Sequence, residues 1–318
     1  MASPNLTEII TTTLYSRNKK LADNVSNSNA LLARLKAKGR VRPATGGRSI
    51  VEELEYAENT TFKYYSGYET LDISPSDVIS AAEYSWKQAA VVVSISGLEG
   101  EVMNTGKEAV INLLEKRIQN AEKTMMNNIS TGVYSDGTGT SGKQITGLQA
   151  QVATAPTSGT VGSIDRSAYS FWQNQTLQDS TMSTSTLIPK MNTLWLTCVR
   201  GQDKPDLITA DAGAYAIYWG ALQSIQRITS DSGTGRAGWS ELAFLTASVI
   251  YDGDSGHRSN TMYFLNTDYL YFRPHPSRNF VPLAKRTAVN QDASIVPLVF
   301  AGNLTASNLS LQGVLWKA

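Results

Sequence analysis

One stretch of the chain constrains its fold more than any other. Val110, Leu114, Ile118, Ala121, Met125 and Ile129 recur at spacings of four or three residues, which puts them on one face of an α-helix. Thr105 and Glu108 precede the stripe with the Thr-x-x-Glu spacing of a capping box. Glu115, Lys116, Arg117, Glu122 and Lys123 fall off the stripe or at its edge. The pattern predicts a helix over residues 98–130, ended by Gly132. About 25 residues at 1.5 Å each make roughly 37 Å of helix. The other segments have to be arranged around it.

Residues 1–45, upstream, read as an arm. Ser16 to Lys38 predicts a helix with Leu21, Val25, Leu31, Leu32 and Leu35 as a partial apolar face. The arm is basic: Arg17, Lys19, Lys20, Arg34, Lys36, Lys38, Arg40 and Arg42 face only Glu8 and Asp23. Pro43 and the Gly46-Gly47 pair close it. Residues 48–96 read as a long hairpin. Ser49 to Tyr56 and Glu83 to Ile95 are the two strands, and Phe62-Lys63-Tyr64-Tyr65-Ser66-Gly67-Tyr68 lies between them. This segment is acidic, with Glu52, Glu53, Glu55, Glu58, Glu69, Asp72, Asp77 and Glu83 against Arg48, Lys63 and Lys87. A hairpin with so much aromatic surface cannot bury it alone. It needs a platform, which in an assembling protein is a neighbour.

Downstream, residues 132–163 are rich in Gly, Ser and Thr and predict a loop with a small hairpin. Residues 164–227 alternate helix and strand: a helix from Thr186 to Leu196, a strand from Asp206 to Ala210, then Asp211 capping a helix through Leu222. Residues 229–238 form a Gly-rich loop. Short strands follow at Ala247–Tyr251, Thr261–Leu265, Tyr269–Phe272, Ile295–Phe300 and Leu309–Trp316. There is no internal repeat.

Composition narrows the class. With 318 residues, 41% hydrophobic and 17% charged, the chain has enough apolar content for a substantial core and length for about two domains. Its net charge is +1, without the basic excess of a dedicated duplex binder, so contact with nucleic acid should be weak or local. The single cysteine, Cys198, excludes an internal disulfide, and its apolar surroundings Leu194 to Val199 mark it as a buried small hydrophobe. No signal peptide or membrane-spanning segment is visible. The Asn-x-Ser/Thr triplets at Asn5, Asn59, Asn128, Asn174, Asn303 and Asn308 therefore carry no glycosylation meaning.

The motifs that suggest chemistry fail on context. Gly137-Thr138-Gly139-Thr140-Ser141-Gly142-Lys143 has the spacing of a phosphate loop, but Gln144 stands where Ser or Thr would hold magnesium, and a helix precedes the motif where a strand is required. Gly233-Thr234-Gly235-Arg236-Ala237-Gly238 matches Gly-x-Gly-x-x-Gly but follows a polar run, not a strand. Asp252-Gly253-Asp254-Ser255-Gly256 opens like a calcium loop and has no closing Glu. His257 lies in a turn and His275 between Pro274 and Pro276, with no ligand partner at metal spacing. No Gly-x-Ser-x-Gly elbow occurs. No catalytic residue, metal or cofactor is expected.

The order of arm, hairpin, long helix, α/β region and closing strands resembles the major capsid proteins of tailed bacteriophages, the Hong Kong 97-type α+β fold. The most specific residues are Tyr263-Phe264-Leu265-Asn266-Thr267-Asp268-Tyr269-Leu270, Arg273-Pro274-His275, Asn279-Phe280, Asn290-Gln291-Asp292, Gly302-Asn303-Leu304-Thr305 and Ser310-Leu311-Gln312-Gly313-Val314-Leu315. The resemblance implies an N-terminal arm over 1–45, an extended E-loop over 46–96, and a P-domain with the spine helix over 97–164. An A-domain would cover 165–260, and closing strands shared by both domains 261–318. It implies a self-assembling shell of pentamers and hexamers around double-stranded DNA, held by weak non-specific contact. The location would be the virion capsid, after host cytoplasm during assembly.

The expected inter-subunit contacts are Arg34, Lys36 and Arg40 of the arm, Tyr56, Phe62, Lys63, Tyr64, Tyr65 and Tyr68 of the E-loop, and Gly233, Gly235 and Arg236 of the loop near the capsomer axis. The basic arm and the acidic E-loop would attract each other between subunits. With the spine helix starting near residue 98, no scaffolding segment fits before it; a separate scaffolding protein, a portal and a decoration protein are the expected partners. Some relatives cross-link an E-loop Lys to an Asn; Lys63, Asn279 and Asn290 are present here without a matching motif. The competing readings are an encapsulin-like nanocompartment, an α/β nucleotide-binding enzyme, and a tail or layer subunit.

Overall fold

The computed structural model describes residues 29–96, 107–223, 242–252, 256–284, 286–287 and 291–317. The long helix is present as α2, Lys107–Tyr134, with α1 at Ala30–Ala37 before it. From Ile118 onward its stripe is buried through Ala121, Met125 and Ile129. Gly132 does not end it. Val133 and Tyr134 are fully buried and continue the helix into the core, and the bare Cα of Gly132 lets Ile145 pack close, with a Cβ there only 3.4 Å from Ile145 Cδ1. Thr105 of the expected capping box lies outside the described residues.

The predicted helix over 16–38 is shortened. Asn29 is extended, and its side-chain oxygen accepts from the Leu32 amide at 3.1 Å, so α1 begins after it. Leu31, Leu32 and Leu35 then sit in the same cluster as Ile50, Met125, Ile129 and Phe272. The described part of the arm is therefore built into this chain's own core. Residues 40–44 continue as an extended segment beside Phe272 and Pro274: Phe272 N donates to Arg40 O at 3.1 Å, Arg42 N to Phe272 O at 3.0 Å and Ala44 N to Pro274 O at 3.1 Å.

The expected hairpin also divides. β1 (Ile50–Glu55) pairs antiparallel with β2 (Ile79–Tyr84), but at Ser85-Trp86 the chain leaves this ribbon. β3 (Lys87–Ser96) belongs to another sheet, where it runs along ten residues of a later strand, β13. The aromatic segment forms no strand, because Gly67 and Pro75 interrupt it and its side chains have no cross-strand partners. A small hairpin, β4 (Thr160–Val161) with β5 (Ile164–Asp165), follows α2 as expected.

Two sheets organise the rest. The first contains β6 (Gln175–Gln178), β7 (Leu207–Ala210), β8 (Leu242–Phe244), β9 (Ala247–Tyr251), β10 (Thr261–Leu265) and β14 (Gly313–Trp316), in the order β6-β14-β10-β7-β9-β8. All residues of β7 and β10 are buried, so both faces are covered. Successive side chains alternate faces. Ile208, Met262 and Phe264 meet α3 (Leu187–Cys198) and α4 (Ala212–Gln223), whereas Leu207, Tyr263 and Leu265 join the cluster containing Met125 and Ile129. Asp211 caps α4 as expected, accepting from Ala214 N at 3.1 Å and Gly213 N at 3.2 Å.

The second sheet is built on β11 (Leu270–Pro282) and β13 (Ala293–Ala306), with β12 (Arg286–Thr287) beside β13 and β3 on its other side. The register of β11 shifts after Pro274, where Pro274 and Pro276 have no N–H to give to a ladder. The expected short strands at 269–272 and 295–300 are thus pieces of longer ones.

Candidate assembly surfaces

The largest exposed apolar feature is the loop between β1 and β2. Its base is closed by Tyr56 N donating to Val78 O at 3.0 Å. Inside, the loop is stitched only to itself. Thr60 and Ser76 hydroxyls meet at 2.9 Å, Thr61 N donates to Asn59 Oδ1 at 3.0 Å, and Ser74 N to Asp72 Oδ1 at 2.9 Å. The Ser74 hydroxyl and amide hold the Asp72 carboxyl below its ordinary pKa. Phe62, Tyr64, Tyr65, Tyr68 and Ile73 are exposed, Tyr64 at 90%. Phe62 and Tyr64 touch edge to face at 5.3 Å, and Lys63 Nζ reaches Glu69 at 3.6 Å. Tyr56, expected with this group, packs instead on Phe171 at 5.3 Å, at the rim of the core.

Basic residues of the arm have carboxylate partners within the subunit. Arg34 Nε donates to Asp206 Oδ2 at 3.1 Å, Lys38 bridges Asp206 and Asp268 at 3.2 Å each, and Arg40 pairs with Asp268 at 2.9 Å. These bonds hold the Asp268 carboxyl below its ordinary range against the opposing effect of burial. Arg34 and Arg40 are thus matched by carboxylates of their own chain, not by acids of the 46–96 segment. Glu52, one of those acids, is buried; it accepts from Arg273 Nε at 2.6 Å, Arg273 Nη2 at 2.7 Å and Thr305 Oγ1 at 2.7 Å. Sequence reasoning named Asp206, Asp268 and Arg273 but not as ion-pair partners, since no local pattern points to partners so distant along the chain. Lys36 is exposed. Gly233, Gly235 and Arg236 lie outside the described residues.

The residues weighed for chemistry have structural employment. In the 137–143 loop the amides turn inward: Gly142 N donates to Thr138 O, Lys143 N to Thr140 O and Gln144 N to Gly139 O, so they do not cradle an anion. Asp252 accepts from the Tyr134 hydroxyl at 2.5 Å, while residues 253–255 of the supposed calcium loop lie outside the described residues. His257 is not a free turn histidine. It is buried between Tyr134 and Tyr263, with ring centroids at 5.0 and 4.9 Å, and its Nδ1 lies 3.0 Å from Arg258 O. Burial pushes its pKa below the ordinary value; Asp211 and Asp252 oppose the shift. His275 stacks edge-on against Trp86 at 5.5 Å. Burial pushes the Cys198 thiol up to about 12. Among the described residues no cluster of three or more His, Cys, Asp or Glu is placed to hold a metal, and no helix is long and apolar enough to cross a membrane.

A long helix beside a sheet of very long strands, a second sheet flanked by helices, and a loop thrown out from a two-stranded ribbon together define the capsid fold of tailed phages, the Hong Kong 97 type. The likeness to solved structures covers nearly the whole chain. The capsid asymmetric unit of cyanophage A-1(L) matches 88% of this chain and 90% of its own, with a TM-score of 0.64 at 16% identity. The capsid of Myoviridae phage XM1 matches 89% of this chain and 92% of its own, at 0.52 and 12%. A satellite phage P4 procapsid structure matches 100% and 92%, at 0.51 and 10%. No protein-family model and no curated protein matches the sequence.

Proposed function

We propose that this chain is the major capsid protein of a tailed phage, polymerising through pentamers and hexamers into an icosahedral shell around double-stranded DNA. The carrying observation is that the capsid fold spans most of both chains, 88% of this one and 90% of the cyanophage chain it matches. The exposed aromatic loop supports the reading, because Phe62, Tyr64, Tyr65 and Tyr68 have the composition of interface anchors and nothing among the described residues covers them. In this reading the loop rests on a neighbouring subunit, and the location is the virion capsid. The arm, E-loop, P-domain and A-domain would follow the boundaries of the sequence reading, with α2 as the spine helix. Lys36, the 229–238 loop, a scaffolding protein, a portal and a decoration protein belong to the same proposal.

Electron microscopy of the full chain, expressed alone and with the other head proteins of its phage, tests the reading. Closed shells of uniform diameter are expected, and a Tyr64→Ser/Tyr68→Ser variant should remain folded without forming them. A chain that stays monomeric with all its head partners present would overturn the proposal. Shells filled with protein cargo instead of DNA would move it to the encapsulin class.

A further inference from the structure

The segment Arg40 to Ser49 puts positive charge on one face of the β11 sheet by simple alternation. Val41 bridges to Phe272 in parallel register, so Val41 and Phe272 share the inner face while Arg40, Arg42, Tyr271 and Arg273 share the outer one. Three guanidinium groups accordingly surround the Tyr271 ring: Arg273 at 4.9 Å, Arg40 at 5.5 Å and Arg42 at 5.6 Å from its centroid. Arg273 is neutralised by Glu52, and Arg40 by Asp268. Arg42 and Arg48 are exposed, and among the described residues neither is paired with a carboxylate. Between them the chain passes Gly46 and Gly47, which with Arg48, Ser49 and Arg273 line an open cleft of about 410 Å³. Gly46 at φ +138° and Gly47 at φ +105° hold a backbone that other residues rarely adopt, and nothing stands within 4 Å of where a Gly46 Cβ would be. Extended chain of about 3.3 Å per residue allows up to roughly 20 Å between Arg42 and Arg48.

We propose that this strip, Arg42 to Arg48 with the cleft at Gly46-Gly47, is a contact site for the phosphate backbone of nucleic acid. It rests on the capsid reading for its partner, the enclosed duplex, and gives the expected weak contact a location. The composition favours phosphate over a protein partner. Protein interfaces are anchored by apolar and aromatic residues, and among the described residues the only large exposed hydrophobic one lining the cleft is Val51. Phosphate contacts are made by Arg, hydroxyls and backbone N–H groups, of which Arg42, Arg48 and the glycine backbone are on offer here; the Ser49 hydroxyl already donates to Glu83 Oε2 at 3.4 Å. Two arginines in this strip, without carboxylate partners among the described residues, also fit a net charge of only +1. The attraction is weak for one subunit and additive over many, without the tight hold of a strongly basic lining.

The test is anisotropy of a short random-sequence labelled duplex titrated with the unassembled full chain, between about 50 and 200 mM NaCl. Arg42→Gln/Arg48→Gln should lose about tenfold or more in affinity, and the slope of log K on log salt should fall by about 1.8, since each phosphate contact contributes about 0.9. Arg42→Lys/Arg48→Lys should keep most of the binding. Lys143→Gln/Lys204→Gln, with the same change in net charge elsewhere, is the control. An Arg42/Arg48 loss no greater than the control would overturn the proposal. So would polyglutamate competing with the duplex for these two residues at lower concentration than unlabelled duplex, which would reassign the strip to an acidic protein. Shell formation by the Arg→Gln variant, read by microscopy, keeps this outcome separate from the capsid reading: shells without DNA affinity sink only the strip.

Discussion

Glu52→Gln should cost the subunit about 3 kcal/mol of folding free energy, the low end of the 3–5 kcal/mol for leaving one member of a buried ion pair unmatched. Glu52 sits on β1, whose only strand partner among the described residues is β2, and a two-stranded ribbon is marginal by itself. The carboxylate fixes this ribbon to the second sheet through two bonds to Arg273 and one to Thr305. Gln keeps an acceptor for Thr305 but turns an NH₂ group toward a guanidinium that has no other carboxylate among the described residues, which is why the low end applies. Arg273→Met should cost a similar amount by stranding Glu52. The double variant removes both charges and should cost about 3 kcal/mol, not about 6, because the pair's desolvation disappears with it. Urea unfolding of unassembled subunits, followed by tryptophan fluorescence at neutral pH, measures this. With a slope near 3 kcal/mol/M, each single variant moves the midpoint by about 1 M. A Glu52→Gln cost below about 1 kcal/mol, or additive single variants, would refute the argument that this pair anchors the ribbon.

The other expectations are more local. Gly313→Ala would place a methyl 2.6 Å from Cys198 Sγ and 3.2 Å from Leu194 Cδ1, so it should destabilise by about 1–3 kcal/mol, with partial rescue by Cys198→Ala in thermal unfolding. Asn29→Ala removes the cap of α1 and should cost about 1–2 kcal/mol in the same urea assay. With its pKa raised to about 12 by burial, Cys198 should resist alkylation at neutral pH in the folded chain and react fully once unfolded, as mass spectrometry would show. His257 has its folded pKa depressed below 6.5, so the unfolded chain takes up the proton first as pH falls. Its contribution to stability is full above about pH 6.5 and is lost as pH drops toward the folded value; His257→Gln should flatten this part of the stability–pH profile, and an unchanged profile would count against the buried neutral imidazole.

What could be read from the sequence was local in origin. The strands Ala247–Tyr251 and Thr261–Leu265 have the limits that their β-branched and aromatic runs predict, and Asp211 signals its helix by capping chemistry confined to four residues. The break at Ser85-Trp86 left no such mark, because it is decided by a strand more than two hundred residues away. Asn303 Nδ2 donates to Ser85 O at 3.0 Å, at the point where β3 begins to follow β13. β13 itself was only partly visible. Gly302 and Asn303 look like turn residues, yet Asn303 is fully buried and serves Thr146 and Leu304 as acceptor. Gly302 lies where a Cβ would meet Arg273 O at 2.8 Å. The aromatic loop was legible for the opposite reason: no partner among the described residues covers its rings. Arg34 and Arg40 were assigned to a neighbour because Asp206 and Asp268 come close to them only in the fold.

This division between matched interior and unmatched loop bears on how such a subunit behaves. The polar groups of residues 29–55 are tied to residues 203–306 by long-range bonds at Asp206, Asp268 and Thr305. The loop holds itself in shape with short Asx turns but buries none of its aromatic rings. Covering Phe62, Tyr64, Tyr65 and Tyr68 on a neighbour would supply roughly 6–12 kcal/mol gross at about 1.5–3 kcal/mol per ring, before the ordering of side chains and association are subtracted. What remains for one contact is small enough to be reversible. On the capsid reading, that is the useful range: a misplaced subunit can leave, and a correctly placed one is held by its loop on one neighbour and by another subunit's loop on itself.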